Sequence, residues 1–217
     1  NSKQRRVPLS LDAPVFTLTH AMGFKGVLGG EYNFNRTEAS IWKRFWLPAS
    51  WGKIDCSVKA GAEWNTITFP VLILPEANLS YITQRETFCL INNMEFLNDR
   101  FASMSISYDI NGKLFNRIPL LKNLKWRDMF RVRALWGTLT DKNNPFKSSN
   151  PDLFRFPTRD GKFTSFVMDP KVPYVEASVG IYNIFKLLHV EYGRRFTYRD
   201  NPGINKNGIR FMVLMVF

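Results

Sequence analysis

The 217 residues carry 30 Lys and Arg against 18 Asp and Glu, a formal net charge of +12, and 45% of them are hydrophobic, with 19 Phe, 7 Tyr and 6 Trp. This excludes a disordered chain, leaves room for one β-domain with a core, and points to an anionic partner. No apolar run reaches the roughly 20 residues of a membrane helix, so any membrane crossing falls to strands closed into a barrel.

The chain opens at Asn1 with neither an initiator Met nor an apolar secretory stretch. The expectation is a processed protein or a piece of a longer polypeptide, with residues 1–217 forming a single region. No aromatic RNA-binding signature, zinc-finger spacing or helical basic stripe is present, so nucleic acid is not an expected partner. Lipopolysaccharide phosphates and the acidic contents of a barrel lumen both fit the charge.

Two strands are read near the start, Val15 to Met22 and a long one from Asn33 to Leu47. The clearest alternation follows in Lys53 to Trp64. Ile54, Cys56, Val58, Ala60, Ala62 and Trp64 take one face and Asp55, Ser57, Lys59, Gly61 and Glu63 the other, a period that no helix fits. Arg100 to Ile110 sets Ala102, Met104, Ile106 and Tyr108 against Ser103, Ser105, Ser107 and Asp109. In Met129 to Leu139, Phe130, Val132, Ala134 and Trp136 oppose Arg131, Arg133 and Gly137, with Leu135 the exception. Pro173 to Tyr182 sets Val175, Ala177, Val179 and Ile181 against Glu176, Ser178 and Gly180. Leu188 to Tyr198 sets Leu188, Val190, Tyr192 and Phe196 against His189, Glu191, Arg195 and Thr197.

The last stretch, Gly208 to Phe217, puts Ile209, Phe211, Val213, Met215 and Phe217 on one face and ends on an aromatic, as the closing strand of an outer-membrane barrel does. A strand of this length tilted by about 45° crosses the hydrocarbon layer, although a soluble sheet alternates in the same way. The fold class read from these segments is all-β, about eight antiparallel transmembrane barrel strands. Connector lengths agree with short periplasmic turns and long outer loops: Pro48 to Gly52 and Asn183 to Leu187 are short, whereas Asn65 to Asp99 and Thr140 to Val172 are long. One periplasmic connector, Asn111 to Asp128, carries Pro119 at the start of a short helical turn. Leu120, Leu121 and Leu124 cluster there beside Trp126, Lys122, Lys125 and Arg127. This is either an interfacial anchor near lipid headgroups or a turn that caps the barrel end.

The inward-facing charges form the most useful list: Arg36, Glu38, Arg44, Asp55, Lys59, Glu63, Asp109, Arg131, Arg133, Glu176, Glu191 and Arg195. They line a polar lumen, or, in a soluble sheet, a solvated outer face. Lys43 and Arg194 fall on apolar rows. Lys43 is near enough to a turn to snorkel, while Arg194 is expected to turn inward through a bulge at Gly193 or to reach lipopolysaccharide phosphate. Cys56 reads as a small hydrophobe, and its spacing from Cys89 supports neither a metal site nor a disulfide. His20 and His189 read as wall residues, Asp160-Gly161 as a turn, and no nucleophile stands in a recognised context, so no catalytic residue, metal or cofactor is expected.

The strings FNRIPLLKNLKWRDMF, PYVEASVGIYNIFKLLHVEYGRRFTYRDNPGINKNGIRF and KRFWLPASWGKIDCSVKAG together resemble the C-terminal part of an uncharacterised Gram-negative outer-membrane family. Its members join a carboxypeptidase-like regulatory domain to a barrel of surface-antigen (BamA-like) type. The resemblance covers most of Pro14 to Phe217 and implies that these strands are the second half of a barrel of about sixteen. In BamA-like proteins the loop between the eleventh and twelfth strands folds into the lumen with an Arg-Gly motif. The corresponding loop here, Asn65 to Asp99, has Arg85 as its only internal Arg and no such motif. Insertase or secretion activity is therefore not carried over.

The leading expectation is a non-enzymatic protein of the cell outer membrane, acting in envelope assembly or in protein or lipid translocation. Its partners would be outer-membrane lipid and lipopolysaccharide, the barrel assembly machinery and other envelope proteins. One alternative is a passive or gated uptake channel. Another is a soluble β-barrel whose Ile54 to Trp64 row lines a pocket for a small apolar ligand. An open sheet in lipid would leave two edges of unpaired amides, so these strands either close alone or are completed by strands upstream.

Overall fold

The computed structural model describes residues 13–68, 71–78, 80, 82, 86–150 and 153–213. Their regular secondary structure is almost wholly β. The strands are β1 (Val15–Gly23), β2 (Phe34–Trp46), β3 (Lys53–Glu63), β4 (Arg100–Asp109), β5 (Arg127–Thr138), β6 (Thr158–Arg159), β7 (Lys162–Phe163), β8 (Tyr174–Ile184), β9 (Leu188–Arg195) and β10 (Asn207–Val213). Eight of them form one antiparallel sheet in the order β1-β2-β3-β4-β5-β8-β9-β10, and β6 and β7 make a separate hairpin. Every long strand follows from its alternation: opposed residues sit on one face, so a run such as Ile54, Cys56 and Val58 must share a side with Tyr108, Ile106 and Met104 of the next strand.

The strand ends depart modestly from the alternation. β8 runs on to Ile184 through a register shift between Ile181 and Ile184. β9 stops at Arg195, and beyond it Tyr198 donates its hydroxyl to the Val172 carbonyl at 2.6 Å. Met215 and Phe217 of the terminal apolar row lie outside the described residues.

The eight strands do not close on themselves: among the described residues β1 and β10 are the two ends of an open sheet and do not pair with each other, so of the two expected outcomes closure by these strands alone is the one not found. The free side of β10 meets the 65–99 connector instead, where Ile82 forms an isolated parallel bridge to Phe211. β1 has a strand on one side only and is exposed along nearly its whole length. No helix among the described residues is long and apolar enough to cross a membrane. The 111–126 connector contains a 3-10 turn at Phe115–Arg117 and one short helix, α1 (Pro119–Lys122), with Pro119 at its first position.

The connectors segregate to the two ends of the sheet. At one end Tyr108 donates to the Trp51 carbonyl at 3.1 Å, Lys113 to that of Ala49 at 3.1 Å, and Asn183 to that of Lys125 at 2.7 Å, so the 47–52 and 111–126 turns touch and the end of β8 meets the second of them. At the other end Asn143, in the long 140–172 connector, accepts from the Ile67 amide at 2.9 Å. The core lies with these long connectors. One cluster contains Phe88, Ile91, Phe96, Leu135, Met168 and Tyr174. The other contains Ile67, Leu72, Leu97, Leu139 and Phe156. Asp160 and Gly161, both at positive φ, make the β6–β7 turn that their residue types demand.

Candidate functional site

Burial across the sheet is inverted relative to an ordinary soluble domain. The apolar rows are open: Val58 is 43% exposed at the middle of β3, and Phe130, Val132, Trp136, Val179, Tyr192, Ile209, Phe211 and Val213 are exposed as well. The opposite rows are covered, with Glu63, Arg131, Arg133, Glu176, Glu191 and Arg195 all buried. The strand registers place every one of the expected inward charges, Arg36, Glu38, Arg44, Asp55, Lys59, Glu63, Asp109, Arg131, Arg133, Glu176, Glu191 and Arg195, on that one face.

What covers the charged face over β5, β8 and β9 is the 65–99 connector. Ionised groups taken out of water must be paired and hydrogen-bonded to persist, and here the connector supplies the partners. Glu176 accepts the Cys89 amide at 2.7 Å, the Leu90 amide at 3.0 Å, the Tyr174 hydroxyl at 2.8 Å and Arg133 at 3.0 Å. Glu191 accepts Arg131 at 3.2 Å and the Ser178 hydroxyl, with His189 Nε2 at 3.4 Å. Arg195 forks onto Glu95, and Asn201 adds a third donor to that carboxylate at 3.0 Å. Arg210 of β10 donates to the Cys89 carbonyl at 2.9 Å.

Cys89 sits in the middle of this network, its sulfur 3.3 Å from Arg133 Nη1. Burial pushes its thiol up to about 11; Arg133 pulls the other way, and Glu191 and Glu176 reinforce the rise. A thiol held protonated at neutral pH is a poor nucleophile. The Cys89 and Leu90 amides on Glu176 and Arg195 on Glu95 hold the connector against the sheet. Cys56 and Cys89 are both free. Among the described residues no group of three His, Cys, Asp or Glu could hold a metal ion.

The β2–β3 half of the same face is wetter. Arg44 pairs with Asp55 at 2.6 Å, and Lys59 bridges Glu38 at 3.6 Å and Glu76 at 2.6 Å, all with partly exposed side chains. Arg36 lies 3.6 Å from the buried Glu63 and donates to the Val71 carbonyl at 2.5 Å. Asp109 is 3.8 Å from Lys53.

On the outer face Lys43 lies 5.7 Å from the Phe45 ring. The expected bulge at Gly193 is corrected: Gly193 pairs regularly with Ser178 and Gly208, the irregularity falls at 181–184, and Arg194 points outward, exposed, with its guanidinium 6.0 Å from Phe196. His189 is buried on the charged face, and His20 is exposed, bonded to Thr37 at 2.9 Å. Of the expected anchor, Leu120 and Leu124 are exposed and Leu121 and Trp126 half-buried, with Trp126 edge-on to Phe115 at 6.0 Å. Glu95, Tyr174 and Ser178 were not legible as site residues. The signal for them is Leu135, the exception to the alternation of β5, which is buried in the core cluster beneath the connector.

The model described as "Family of unknown function (DUF5686) C-terminal domain" matches residues 1–146, and the chain belongs to that uncharacterised family. No curated protein and no solved structure matches it.

Proposed function

We propose that this member of the DUF5686 family contributes the lipid-facing sheet of a surface-antigen (BamA-like) β-barrel in the outer membrane of a Gram-negative cell. It acts in envelope assembly or in protein or lipid translocation, without enzymatic activity. Outer-membrane lipid, lipopolysaccharide, the barrel assembly machinery and other envelope proteins are its partners. The observation that carries the reading is the inversion of the sheet, with aliphatic and aromatic rows exposed and ionised rows buried under a connector. Water rewards the opposite arrangement, and hydrocarbon rewards this one.

Strand length supports the same reading. The 11 residues of β3 rise about 37 Å, or about 26 Å when tilted by about 45°, close to the apolar band of about 25 Å in such barrels. In lipid each open edge would leave amides unsatisfied, so the sheet is completed by further strands. The soluble reading needs Val58 and Trp64 inside a pocket, and both are exposed. Detergent-dependent solubility of the full-length protein and a heat-modifiable band after insertion into neutral vesicles test the proposal. Recovery of a folded, detergent-free soluble protein would overturn it.

The wet half of the charged face favours a second use of the same barrel, gated uptake. Arg44, Asp55 and Lys59 remain in contact with water beside a face that the connector otherwise fills. Planar-bilayer recordings should then show a conductance that rises when residues 71–94 are shortened, and an ion selectivity that shifts in Lys59→Gln. Unchanged recordings in both would remove this use and leave the barrel itself untouched.

A further inference from the structure

The end of the sheet built by the short connectors combines cations with aromatic and apolar tips. Residues 110–127 contain Lys113, Arg117, Lys122, Lys125 and Arg127 and no carboxylate. Of the acids next to this end, Asp55 is engaged with Arg44 and Asp109 with Lys53 and the Asn111 amide, while Asp128, which follows Arg127, is buried. Five cations against that one buried carboxylate leave the connector with an excess of positive charge for an outside partner. Two of these cations are held in place: Lys113 Nζ lies 3.7 Å from the centre of the Trp51 ring while donating to Ala49, and Arg127 lies 5.9 Å from Tyr182. Lys122 and Lys125 are exposed.

The same end carries apolar side chains that the described residues leave uncovered: Leu120 is 85% exposed and Phe185 is 82% exposed. A hydrophilic polyanion would satisfy the cations and leave Leu120 and Phe185 in water. A bilayer surface satisfies both, because headgroup phosphates meet the ammonium and guanidinium groups while the tips reach the acyl boundary.

We propose that this collar, centred on Lys113, Lys122 and Lys125 with Trp51, Leu120 and Phe185, is a docking surface for anionic phospholipid headgroups at one face of the membrane. The inference rests on the membrane reading and adds a headgroup preference that the reading alone does not require. Trp and Tyr rings at this depth prefer the interface whatever its charge, whereas five cations without a carboxylate discriminate between lipids.

The test uses the full-length protein in a neutral detergent, titrated with phosphatidylglycerol or phosphatidylcholine of equal chain length and read by native mass spectrometry. Phosphatidylglycerol should bind about tenfold or more tightly than phosphatidylcholine. Lys113→Gln/Lys122→Gln/Lys125→Gln should abolish the preference, and Arg159→Gln/Lys162→Gln in the β6–β7 hairpin should leave it unchanged within about twofold. All five side chains avoid the core, and circular dichroism verifies the fold of each variant. Equal affinity for the two lipids, or a preference that survives the triple substitution, overturns the proposal. Loss of oligonucleotide binding in the triple variant with an unchanged lipid preference overturns it in favour of nucleic acid. Insertion into neutral vesicles is scored separately: its failure removes the membrane reading and the collar together, while insertion without headgroup preference removes the collar alone.

Discussion

Arg195 of β9 and Glu95 of the 65–99 connector meet in a fork, Nη1 to Oε2 at 3.0 Å and Nη2 to Oε1 at 2.5 Å, with both side chains almost completely buried. The guanidinium also donates through Nε to the Thr197 carbonyl at 3.0 Å and lies over the Tyr174 ring at 4.8 Å. A planar group held on all sides in this way fixes the connector to the sheet at one defined place.

Removing one partner leaves the other charged and buried, which costs about 3–5 kcal/mol, whereas replacing both by apolar groups of similar size removes the desolvation penalty as well. Arg195→Ala and Glu95→Ala should each lower the stability of the folded protein by that amount. Arg195→Met/Glu95→Met should cost much less than the sum of the two. Urea titrations of the four proteins give the comparison, and additive losses would show that the pair does not act as a unit.

Cys89 offers a pH-dependent readout of the same covered face. Its thiol, pushed up to about 11 chiefly by burial, is raised above its ordinary value of 9.0, so the folded state holds the proton more tightly than the unfolded chain. The corresponding stability is fully present below pH 9 and is lost as pH climbs through about 11. A tenfold difference in proton affinity between the two states corresponds to about 1.4 kcal/mol, so wild type should lose about 2–3 kcal/mol more than Cys89→Ala between those limits. At pH 7.5 a maleimide should label the buried Cys89 slowly, and Arg195→Ala should speed that labelling.

The long strands were legible because a period of two is written directly into residues such as Ile54, Cys56 and Val58 against Asp55, Ser57 and Lys59. So was the set of charges that shares one face. The connector was not, because Phe88, Ile91, Phe96 and Leu97 follow no period: an irregular chain buries each side chain by its own path. Cys89 and Glu95 acquire their roles only from residues about 90 to 100 positions away, Glu176 and Arg195. Leu135 carried a trace of this, breaking the alternation of β5 because Phe88 and Phe96 arrive from the connector to meet it. Closure by these strands alone or completion by others stayed open at the level of sequence, since alternation specifies neighbours within the chain and says nothing of whether β10 returns to β1.

Gly52 is the tightest point of the collar end. Its φ is +91° and a Cβ there would lie 1.8 Å from the Asp109 carbonyl oxygen. Gly52→Ala must therefore shift β2–β3 away from β4, and it should cost more than about 2 kcal/mol. Gly193→Ala is the contrast: its Cβ would find Cys89 at 3.6 Å, an ordinary contact in a regular strand. That substitution should stay within about 1 kcal/mol of wild type. Urea midpoints of the two variants, measured side by side, test whether the turn rather than glycine content sets the cost.

The inversion of the sheet makes the sharpest distinction between solvents. Val58 and Val132 stand near the middles of β3 and β5 on the exposed rows. If these rows face hydrocarbon, Val58→Lys and Val132→Lys should each cost about 2–4 kcal/mol in vesicles, because an ammonium at the bilayer midplane has neither water nor a counterion. If they face water, each should be silent within about 0.5 kcal/mol, as exposed substitutions away from special features are. Arg133→Val supplies the internal reference. It strips Glu176 of a buried partner at 3.0 Å, so it should destabilise the protein by about 3–5 kcal/mol whichever solvent bathes the other face. A protein in which Arg133→Val is costly and both Lys substitutions are silent would be a water-soluble sheet with a charged interior. One in which all three are costly has its apolar rows in lipid.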